Sequence, residues 1–425
     1  MSDSSPAARR RAEGSATPVA RHGNLGRKHP LAFVLKIVAA SLAVLLVSGL
    51  SVVGIAVAQL ASAVQPGVAL EGEDDENAPE IGAIEGAVNL LLVGSDSGGG
   101  NAAYGERGEV LNDVTMLLHI SEDHQRATVV SFPRDLYVDI PACTGPDGTQ
   151  YEPQYGAKIN QALSQAGLSC VVQTVNQLTG IDIPYAAVIE FDGVIAMSNA
   201  VGGVPVCVAT DIDDRQISFQ LEAGEHSLSG RDALQFLRSR YGVGDGSDLT
   251  RISNQQQFLS SLVRTLKSSE TLSNPVKLYG IASAALNNLE FSNSLRNVDT
   301  MVSIAGALRD IPLEEVVFAK YPTADQGNGL VPISDAADEL IAAIQADQAI
   351  GLTGGTGRGT IDVTAPGEPT ADPDAPVNPT PTPSGEPGAS ASAAPETDDR
   401  VELSEAVEGQ TAAQETCTAG QSSGG

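Results

Sequence analysis

Arginine residues collect in two stretches of this acidic chain, and their chemistry suits the binding of an anion. Arg134 lies in the first stretch, and Arg238, Arg240 and Arg251 lie close together in the second. The formal net charge of −29 repels anions at long range, so any bound anion must be held locally. Each forked, charge-assisted bond from a guanidinium group to phosphate contributes about 1.5–3 kcal/mol. The arginines therefore predict a phosphate-binding pocket, and the alternative for each is a salt bridge on a solvated helix face.

Two aspartates could bring a cation to the same place. Asp96 follows an apolar run that ends at Val93, and Asp113 stands at the start of the next apolar run. If the two runs form neighbouring strands, both carboxylates emerge at one edge of a sheet, where α/β folds bind ligands. Carboxylate oxygens together with phosphate oxygens suit Mg²⁺. The alternative is that both aspartates only begin turns, which is common for this residue.

Further polar residues adjoin the arginines. Asp248 is a good N-cap for a helix predicted to begin at Leu249, and the positive start of that helix beside Arg251 favours a phosphate. Pro133 should end the strand before it, because proline cannot continue a central ladder, and so should expose Arg134 at the strand tip.

The elements that must position these side chains alternate along the chain. Short β-branched runs predict strands, and apolar residues at helical spacing predict helices. The predicted strands are 88–93, 114–120, 127–132, 186–191, 204–209 and 316–321, and the predicted helices are 158–178, 232–240, 249–266, 275–289, 295–308 and 334–346. Strands interleaved with helices over one stretch predict a layered α/β domain.

Composition divides the 425 residues into five regions. Residues 1–36 form a basic segment, and residues 37–61 form an apolar run long enough to cross a bilayer of about 30 Å. Basic residues before this run and acidic residues after it predict an anchor with the N-terminus inside the cell and the bulk outside. A cleaved signal peptide is the alternative. Residues 62–87 read as an acidic linker, 88–348 as the globular domain, and 349–425 as a disordered tail rich in Pro, Gly, Ala and Thr.

The net charge and the cysteine residues indicate which partners and which cellular compartment fit this chain. An acidic surface argues against a nucleic-acid partner, since duplex binding needs a basic face. Cys143 and Cys170 bracket a turn-rich segment, and a disulfide between them fits an oxidising compartment. Cys207 reads as a buried thiol in an apolar strand, and Cys417 lies in the predicted tail. Four cysteines allow three pairings, and spacing alone does not choose among them.

Ordered sequence blocks across 88–141 and 230–258 resemble the LytR–CpsA–Psr family of membrane-anchored cell-wall phosphotransferases. The blocks that carry the resemblance are Gly94-Ser95-Asp96, Asp113-Val114-Thr115-Met116-Leu117, Pro133-Arg134-Asp135, Arg238-Ser239-Arg240, Asp248-Leu249-Thr250-Arg251 and Gln255-Gln256. Lys158-Ile159-Asn160, Phe191-Asp192-Gly193 and Val201-Gly202-Gly203-Val204 match the intervening blocks. The order of these blocks is a specific signal, unlike any one of them alone.

The resemblance implies a mixed central sheet between helical layers, with an apolar pocket for a polyprenyl chain. It implies transfer of an anionic or secondary glycopolymer from a polyprenyl-pyrophosphate carrier to peptidoglycan, at the 6-hydroxyl of N-acetylmuramic acid, outside a membrane of the Gram-positive type. Asp96 and Asp113 would hold Mg²⁺, with Mn²⁺ as the alternative, and one would accept the hydroxyl proton. Four arginines would bind the pyrophosphate: Arg134, Arg238, Arg240 and Arg251. Asp248 and Gln255 would also bind the substrate.

Three positions depart from the family pattern, which often has arginine there. They are the glycine run 98–100, the pair Leu111-Asn112 and Asn254, and Arg107 is a candidate substitute. Two other hypotheses stay open, and the missing arginines motivate the second of them. One is a polyprenyl-pyrophosphate phosphatase that uses water as the acceptor, and the other is a non-catalytic regulator that binds lipid or wall.

Overall fold

A computed structural model describes residues 67–71, 86–96, 110–363 and 400–421, together with the single residues 41, 55 and 59. The strands, in chain order, are β1 (Val88–Ser95), β2 (Asn112–Ile120), β3 (Ala127–Phe132), β4 (Tyr137–Ile140), β5 (Cys143–Thr144), β6 (Gln150–Tyr151), β7 (Gln154–Lys158), β8 (Tyr185–Ile189), β9 (Val204–Thr210), β10 (Ile212–Asp214), β11 (Phe219–Leu221), β12 (Gly224–Leu228), β13 (Leu289–Phe291), β14 (Val316–Lys320), β15 (Thr323–Gln326), β16 (Gly329–Pro332), β17 (Ile350–Leu352), β18 (Thr360–Asp362), β19 (Val401–Leu403), β20 (Gly409–Thr411) and β21 (Thr416–Ala419).

Helices alternate with these strands. They are α1 (Ala162–Ala166), α2 (Leu168–Thr179), α3 (Phe191–Val201), α4 (Gly230–Arg238), α5 (Asp248–Lys267), α6 (Ser269–Leu272), α7 (Pro275–Asn288), α8 (Val298–Asp310) and α9 (Ser334–Gln345), with short 3₁₀ turns at Ile159–Gln161 and Leu313–Glu315. The strand predicted at 127–132 is confirmed as β3, and the helices predicted at 249–266 and 334–346 are confirmed as α5 and α9 with ends shifted by one residue.

The central sheet has seven strands in the order β13-β8-β1-β2-β3-β14-β20. It is mixed: β1 runs antiparallel to β2 and parallel to β8, while β3 runs antiparallel to β2 and parallel to β14. The predicted neighbours around the two aspartates are therefore adjacent strands, β1 and β2. The prediction of a mixed central sheet is confirmed.

Two apolar clusters pack on the opposite faces of this sheet, because side chains alternate along each strand. Leu91 and Leu117 join one cluster, which α2 and α9 cover. Their neighbours Leu90 and Leu118 pack against the other cluster, which includes Leu286 of α7 and side chains of α5 and α8. The result is a helix–sheet–helix layering, as the sequence pattern indicates.

The helix predicted at 158–178 is wrong in its first half. Lys158 ends β7, a 3₁₀ turn follows, and α1 and α2 are separated by Gly167. The φ of Gly167 is 77°, a backbone conformation that glycine adopts without the steric cost of a Cβ atom. Apolar residues continue at helical spacing across this break, so periodicity alone does not reveal it.

The predicted disordered tail is wrong for 350–363 and 400–421. Strand β20 extends the central sheet by pairing with β14, β21 lies between β9 and β18 in a four-stranded sheet, and β19 pairs with β17. Leu403 and Val407 of this segment are buried in the core. A polar average over the tail hides buried apolar residues such as Leu403. Strand β20 is Gly409-Gln410-Thr411, and it pairs with the edge of β14 through its backbone.

Two disulfides join distant parts of the chain. The predicted Cys143–Cys170 bond is confirmed. Cys207 is not a free thiol, because it is bonded to Cys417 across the neighbouring strands β9 and β21. The register of β21 brings the two residues face to face, and no local sequence signal predicts a pairing over 210 residues.

Outside the described residues lie the predicted basic segment, most of the anchor and of the acidic linker, the glycine run 98–100 and Arg107. Within the described part of the chain, no helix combines the length and the apolar character needed to cross a bilayer.

Candidate functional site

The end of β1 and the start of β2 form the edge of the sheet at which the two predicted aspartates lie. Ser95 pairs with Asn112 in the antiparallel register, so Asp96 and Asp113 come from directly adjoining strand ends. Asp96 is buried, its backbone nitrogen donates to the carbonyl of Leu111 at 3.1 Å, and its Oδ1 accepts from the Leu111 nitrogen at 2.9 Å. These paired bonds hold Asp96 beside the chain that leads into Asp113.

Arg134 lies just beyond the C-terminal end of β3, where Pro133 ends the strand as predicted. Its Nη1 donates to Oδ1 of Asp113 at 2.6 Å. Burial alone would lower the pKa of the Arg134 guanidinium, but the nearby carboxylates, Asp113 above all, raise it overall. Arg134 therefore stays charged across the working pH range. The adjoining Asp135 binds Nζ of Lys158 at 2.7 Å, which fixes the turn after β3.

Arg251 and Asp248 come from the first turn of α5. The helix begins at Asp248, and Ser247 is the N-cap, with its Oγ accepting from the nitrogen of Thr250 at 3.3 Å. The predicted capping role of Asp248 is therefore wrong, because the helix starts one residue earlier than expected. Its buried carboxylate instead lies 2.7 Å from Nη2 of Arg251.

Arg251 completes a cluster of alternating charges at the edge of the sheet. Its Nη2 donates to the carbonyl oxygen of Asp113 at 2.9 Å, and its Nη1 lies 3.6 Å from Oδ2 of the same residue. Arg134 Nε lies 3.7 Å from Oδ1 of Asp248. Two arginines and two aspartates from three elements thus meet, and we call these four residues the charge cluster: Asp113, Arg134, Asp248 and Arg251.

An apolar cavity of about 270 Å³ opens beside the charge cluster. Leucine, valine, methionine and phenylalanine side chains from β1, β2, α3, α4 and α5 form most of its wall. They include Leu92, Met116, Met197, Leu234, Phe258 and Leu262. Asp113, Arg238, Arg251 and Gln255 are among the polar residues of the lining. The site therefore combines a greasy cavity with guanidinium and carboxylate groups at one end.

The remaining predicted residues divide between the cavity and its surroundings. Arg238 lines the cavity, and its guanidinium lies 4.3 Å from the centroid of the Phe191 ring, a cation–π contact. Gln255 also lines the cavity, and its Nε2 donates to the carbonyl of Leu237 at 3.1 Å. Arg240 is not among the described residues on the cavity wall, and its Nε donates to the carbonyl of Gly246 at 2.9 Å. Asp96 and Arg134 adjoin the wall without lining it.

Sequence reasoning missed Glu190 and Phe191, which also line the cavity. Glu190 directly follows β8, and β8 is parallel to β1 with Ile189 opposite Gly94. The carboxyl ends of these two strands therefore meet at one edge. The rule that ligands bind at such an edge would have indicated Glu190 if the pairing of β1 with β8 had been known.

Two departures from the family pattern have structural roles here. Asn254 Nδ2 donates to the carbonyl of Phe236, and its Oδ1 accepts from Thr418 Oγ1, both at 2.6 Å. Asn112 Nδ2 donates to Thr115 Oγ1 at 2.8 Å, and its Oδ1 accepts from the nitrogen of Leu163. Asn254 therefore joins α5 to α4 and to the C-terminal strand, and Asn112 joins β2 to α1.

The oxygen donors at the sheet edge suit a hard cation. Asp96 and Asp113 present carboxylates at adjoining strand ends, and Mg²⁺ commonly takes one or two carboxylates together with phosphate oxygens. Within the described ranges, no group of three or more His, Cys, Asp or Glu side chains is arranged to hold a metal ion by itself.

A mixed α/β domain with an apolar cavity and a charge cluster at its edge is suited to an amphiphile with an anionic head. The LytR_cpsA_psr family model matches residues 57–346. The chain belongs to this family, as its ordered sequence blocks predict.

Relatives in sequence agree with this assignment, and a solved structure shares the fold. The chain is 30% identical to the cell wall biosynthesis protein LcpA of Corynebacterium glutamicum over 349 residues, which cover 74% of this chain and 65% of that protein. It is 31% identical to the probable cell wall biosynthesis protein LcpB of the same organism, over 60% of this chain and 61% of that protein. The matched part thus spans less than two thirds of these relatives. A LytR-Csp2A-Psr enzyme from Actinomyces oris has a similar fold, with a TM-score of 0.50 and 18% identity, over 66% of this chain and 96% of that one.

Proposed function

We propose that this protein transfers an anionic or secondary cell-wall glycopolymer from a polyprenyl-pyrophosphate carrier to peptidoglycan. The acceptor is the 6-hydroxyl of N-acetylmuramic acid, and the product is a phosphodiester. Membership in the family and the names of the Corynebacterium relatives support a role in cell-wall biosynthesis.

One observation carries the proposal: the apolar cavity adjoins the charge cluster. A polyprenyl chain needs an apolar enclosure, and a pyrophosphate needs fixed cationic donors at the point where that chain ends. Arg251 and Arg238 lie on the cavity wall, and Arg134 lies within reach of the carboxylate that Arg251 also contacts. The lipid would lie in the cavity with its pyrophosphate at the arginines.

The reaction balances as a single phosphoryl transfer. The acceptor hydroxyl oxygen attacks the phosphorus that carries the glycopolymer, the bond from this phosphorus to the bridging oxygen breaks, and polyprenyl phosphate leaves. One aspartate, Asp96 or Asp113, accepts the hydroxyl proton. Arg134, Arg238 and Arg251 offset the charge on the phosphate oxygens, since positioning and charge neutralisation supply most of the catalysis in such transfers.

A divalent cation has a place in this scheme. Asp96 and Asp113 would hold Mg²⁺, with Mn²⁺ as the alternative, together with pyrophosphate oxygens of the substrate. The bound ion would neutralise phosphate charge and orient the leaving group. Asp113 already contacts two arginines, so its carboxylate would link the ion to the guanidinium groups.

The proposed location rests on the topology predicted from the charge and hydropathy of residues 1–87. Residues 37–61 would anchor the protein in the cell membrane by a single pass, with residues 1–36 inside and the domain outside. The described domain contains two disulfides, which fits an oxidising compartment. This arrangement would place the cavity on the side of the membrane where peptidoglycan lies.

A transfer assay tests the proposal. Membrane-extracted full-length protein is supplied with a polyprenyl-pyrophosphate-linked oligosaccharide, peptidoglycan and Mg²⁺, and the oligosaccharide joined to peptidoglycan is measured. We expect Asp96→Ala, Asp113→Ala and Arg251→Ala each to abolish transfer by the folded protein, and melting curves measure any accompanying loss of stability. Arg215→Ala is the control, because this side chain is almost fully exposed and pairs only with Asp213 among its described ion-pair contacts.

The same assay separates the alternatives. Phosphate release without joining to peptidoglycan would indicate the phosphatase. Near-wild-type transfer in all three variants would overturn the site assignment. In cells, an Arg134→Ala strain with normal protein levels should lose wall-linked polymer, and retention of the polymer would favour the regulator.

A further inference from the structure

A buried carboxylate, that of Asp214, accepts hydrogen bonds from the turn that follows Arg238. Asp214, the last residue of β10, is only 1% exposed. Its Oδ2 accepts hydrogen bonds from the backbone nitrogens of Arg240, Tyr241 and Gly242 at 3.0, 3.0 and 3.3 Å. The same oxygen accepts from Ser239 Oγ at 3.1 Å, and Oδ1 accepts from the nitrogen of Gln216 at 3.1 Å.

This geometry is that of a backbone nest. Successive N–H groups that converge on one point form a concave site for an anion, and here the protein's own carboxylate occupies it. Among the described residues, no Lys or Arg side chain forms an ion pair with Asp214, so the turn itself stabilises its charge. A buried carboxylate that accepts hydrogen bonds from several backbone N–H groups fixes the conformation of that backbone. Any movement that breaks these hydrogen bonds leaves the buried charge without donors, which is costly.

The fit between the carboxylate and the turn leaves no spare room. A Cβ atom added at Gly242 would lie 2.8 Å from both the Cβ and the nitrogen of Asp214. The other side of the turn is held by the C-terminal segment, since Gln421 donates to the carbonyl of Gly242 at 2.9 Å and Gly244 donates to that of Ala419 at 3.0 Å. The turn is therefore clamped from two directions.

The clamped turn directly follows a residue of the candidate site. Arg238 is the last residue of α4 and lines the cavity, and Arg240 lies within the turn. We infer that Asp214 is a positioning residue that holds Arg238, at the start of the turn, in the orientation the reaction needs. This inference rests on the proposed function, and it assigns Asp214 no contact with the substrate.

The transfer assay tests the inference by comparing the same substitution at two adjacent aspartates, Asp214 and Asp213. In Asp214→Asn, an amide nitrogen replaces one acceptor oxygen and the charge is lost, so we expect kcat to fall about 10- to 100-fold, as a small misplacement of catalytic groups can produce. Asp213→Asn is the control, because Asp213 is exposed and binds Arg215 and Gln220. Its kcat should stay within about twofold of wild type, as expected for an exposed pair.

A double-mutant cycle separates positioning from general stability. If Asp214 acts through Arg238, Asp214→Asn should lower kcat by less than about twofold in a chain that already carries Arg238→Ala. An equal loss in both backgrounds would show that Asp214 only stabilises the fold, and would overturn the inference. Residual activity of the arginine variant must be measurable, so long single-turnover reactions are used.

A second variant covers the case in which Asp214→Asn does not fold. Gly242→Ala pushes the same turn away from Asp214 and should lower kcat in the same direction. If Gly242→Ala folds with wild-type kcat, the inference fails. If the wild-type protein itself transfers no oligosaccharide, the proposed function fails instead, so the two failures are distinguishable.

Discussion

Two clusters of charged residues meet the first turns of α5, and they differ in what they face. Arg251 belongs to the charge cluster at the cavity, whereas Ser253, two residues later, accepts from Nζ of Lys320 at 2.5 Å. Lys320 Nζ also binds Oε2 of Glu408 at 2.9 Å. We call Ser253, Lys320 and Glu408 the lysine cluster. Residues two apart on a helix point in different directions, so one turn of α5 serves both clusters.

Access distinguishes the two clusters. The side chains of Arg134 and Asp113 are 25% and 21% exposed, and the cavity lies against Asp113 and Arg251. The side chain of Lys320 is 4% exposed, and it joins β14 to α5 and to the residue before β20. Arginines that meet carboxylates at an opening can exchange a partner for a phosphate. A lysine that is buried among its partners instead links one structural element to another.

The largest expected effect is on the charge cluster. Arg251→Ala removes a guanidinium that contacts two aspartates and the cavity, so we expect kcat for transfer to fall by about 10³-fold or more, as for arginines that stabilise phosphoryl transfer. Quantitative transfer assays with melting curves check this. A loss of less than tenfold would show that Arg251, like the lysine cluster, has a structural role, and it would contradict the distinction between the two clusters.

An intermediate effect is expected on stability at the lysine cluster. Glu408→Gln removes the partner of a buried charge, so we expect the free energy of unfolding to fall by about 1–3 kcal/mol, less than for a fully buried pair because Glu408 is 34% exposed. Transfer per folded molecule should stay near wild type. Denaturant titration and the transfer assay measure the two quantities. A loss of kcat without a loss of stability would contradict a purely structural role for the lysine cluster.

Much of the fold could be predicted from the sequence, because the central elements are local patterns. Strand β3 and helix α5 follow from β-branched runs and helical spacing, and Pro133 ends its strand as proline must. The break at Gly167 and the strands after residue 349 could not be predicted in this way. They depend on a single backbone conformation and on pairing with distant edges, and neither leaves a periodic signal.

The candidate site was predictable in part for the same reason. Asp113, Arg134, Asp248 and Arg251 lie in sequence blocks, and the structure brings these four together. The positioning role inferred for Asp214 and the place of Glu190 on the cavity wall depend on tertiary contacts. Arg240 lies in the same block as Arg238, yet the turn after α4 directs its side chain to Gly246.

The smallest expected effect is a difference in pH dependence between the clusters. Burial lowers the pKa of Lys320, so the unfolded chain holds this proton more firmly than the folded chain does. The stability of wild type relative to Lys320→Met should therefore rise as the pH increases towards the ordinary lysine pKa, by at most about 1.4 kcal/mol per pH unit. The pKa of Arg134 is raised, so the charge cluster should show no such trend.

Denaturant titrations of the wild-type protein and of Lys320→Met between neutral and alkaline pH measure the difference in their free energies of unfolding. A flat or falling difference would show that Lys320 is not held at a lowered pKa in the folded protein.

Mass spectrometry of lipid that co-purifies with the membrane-extracted protein tests the central claim most directly. The account predicts polyprenyl phosphate or pyrophosphate bound to wild type and largely lost from Met197→Trp, in which a larger ring fills the cavity. If no polyprenyl lipid is bound, or if the filled variant retains as much as wild type, the cavity and the charge cluster do not form the proposed site.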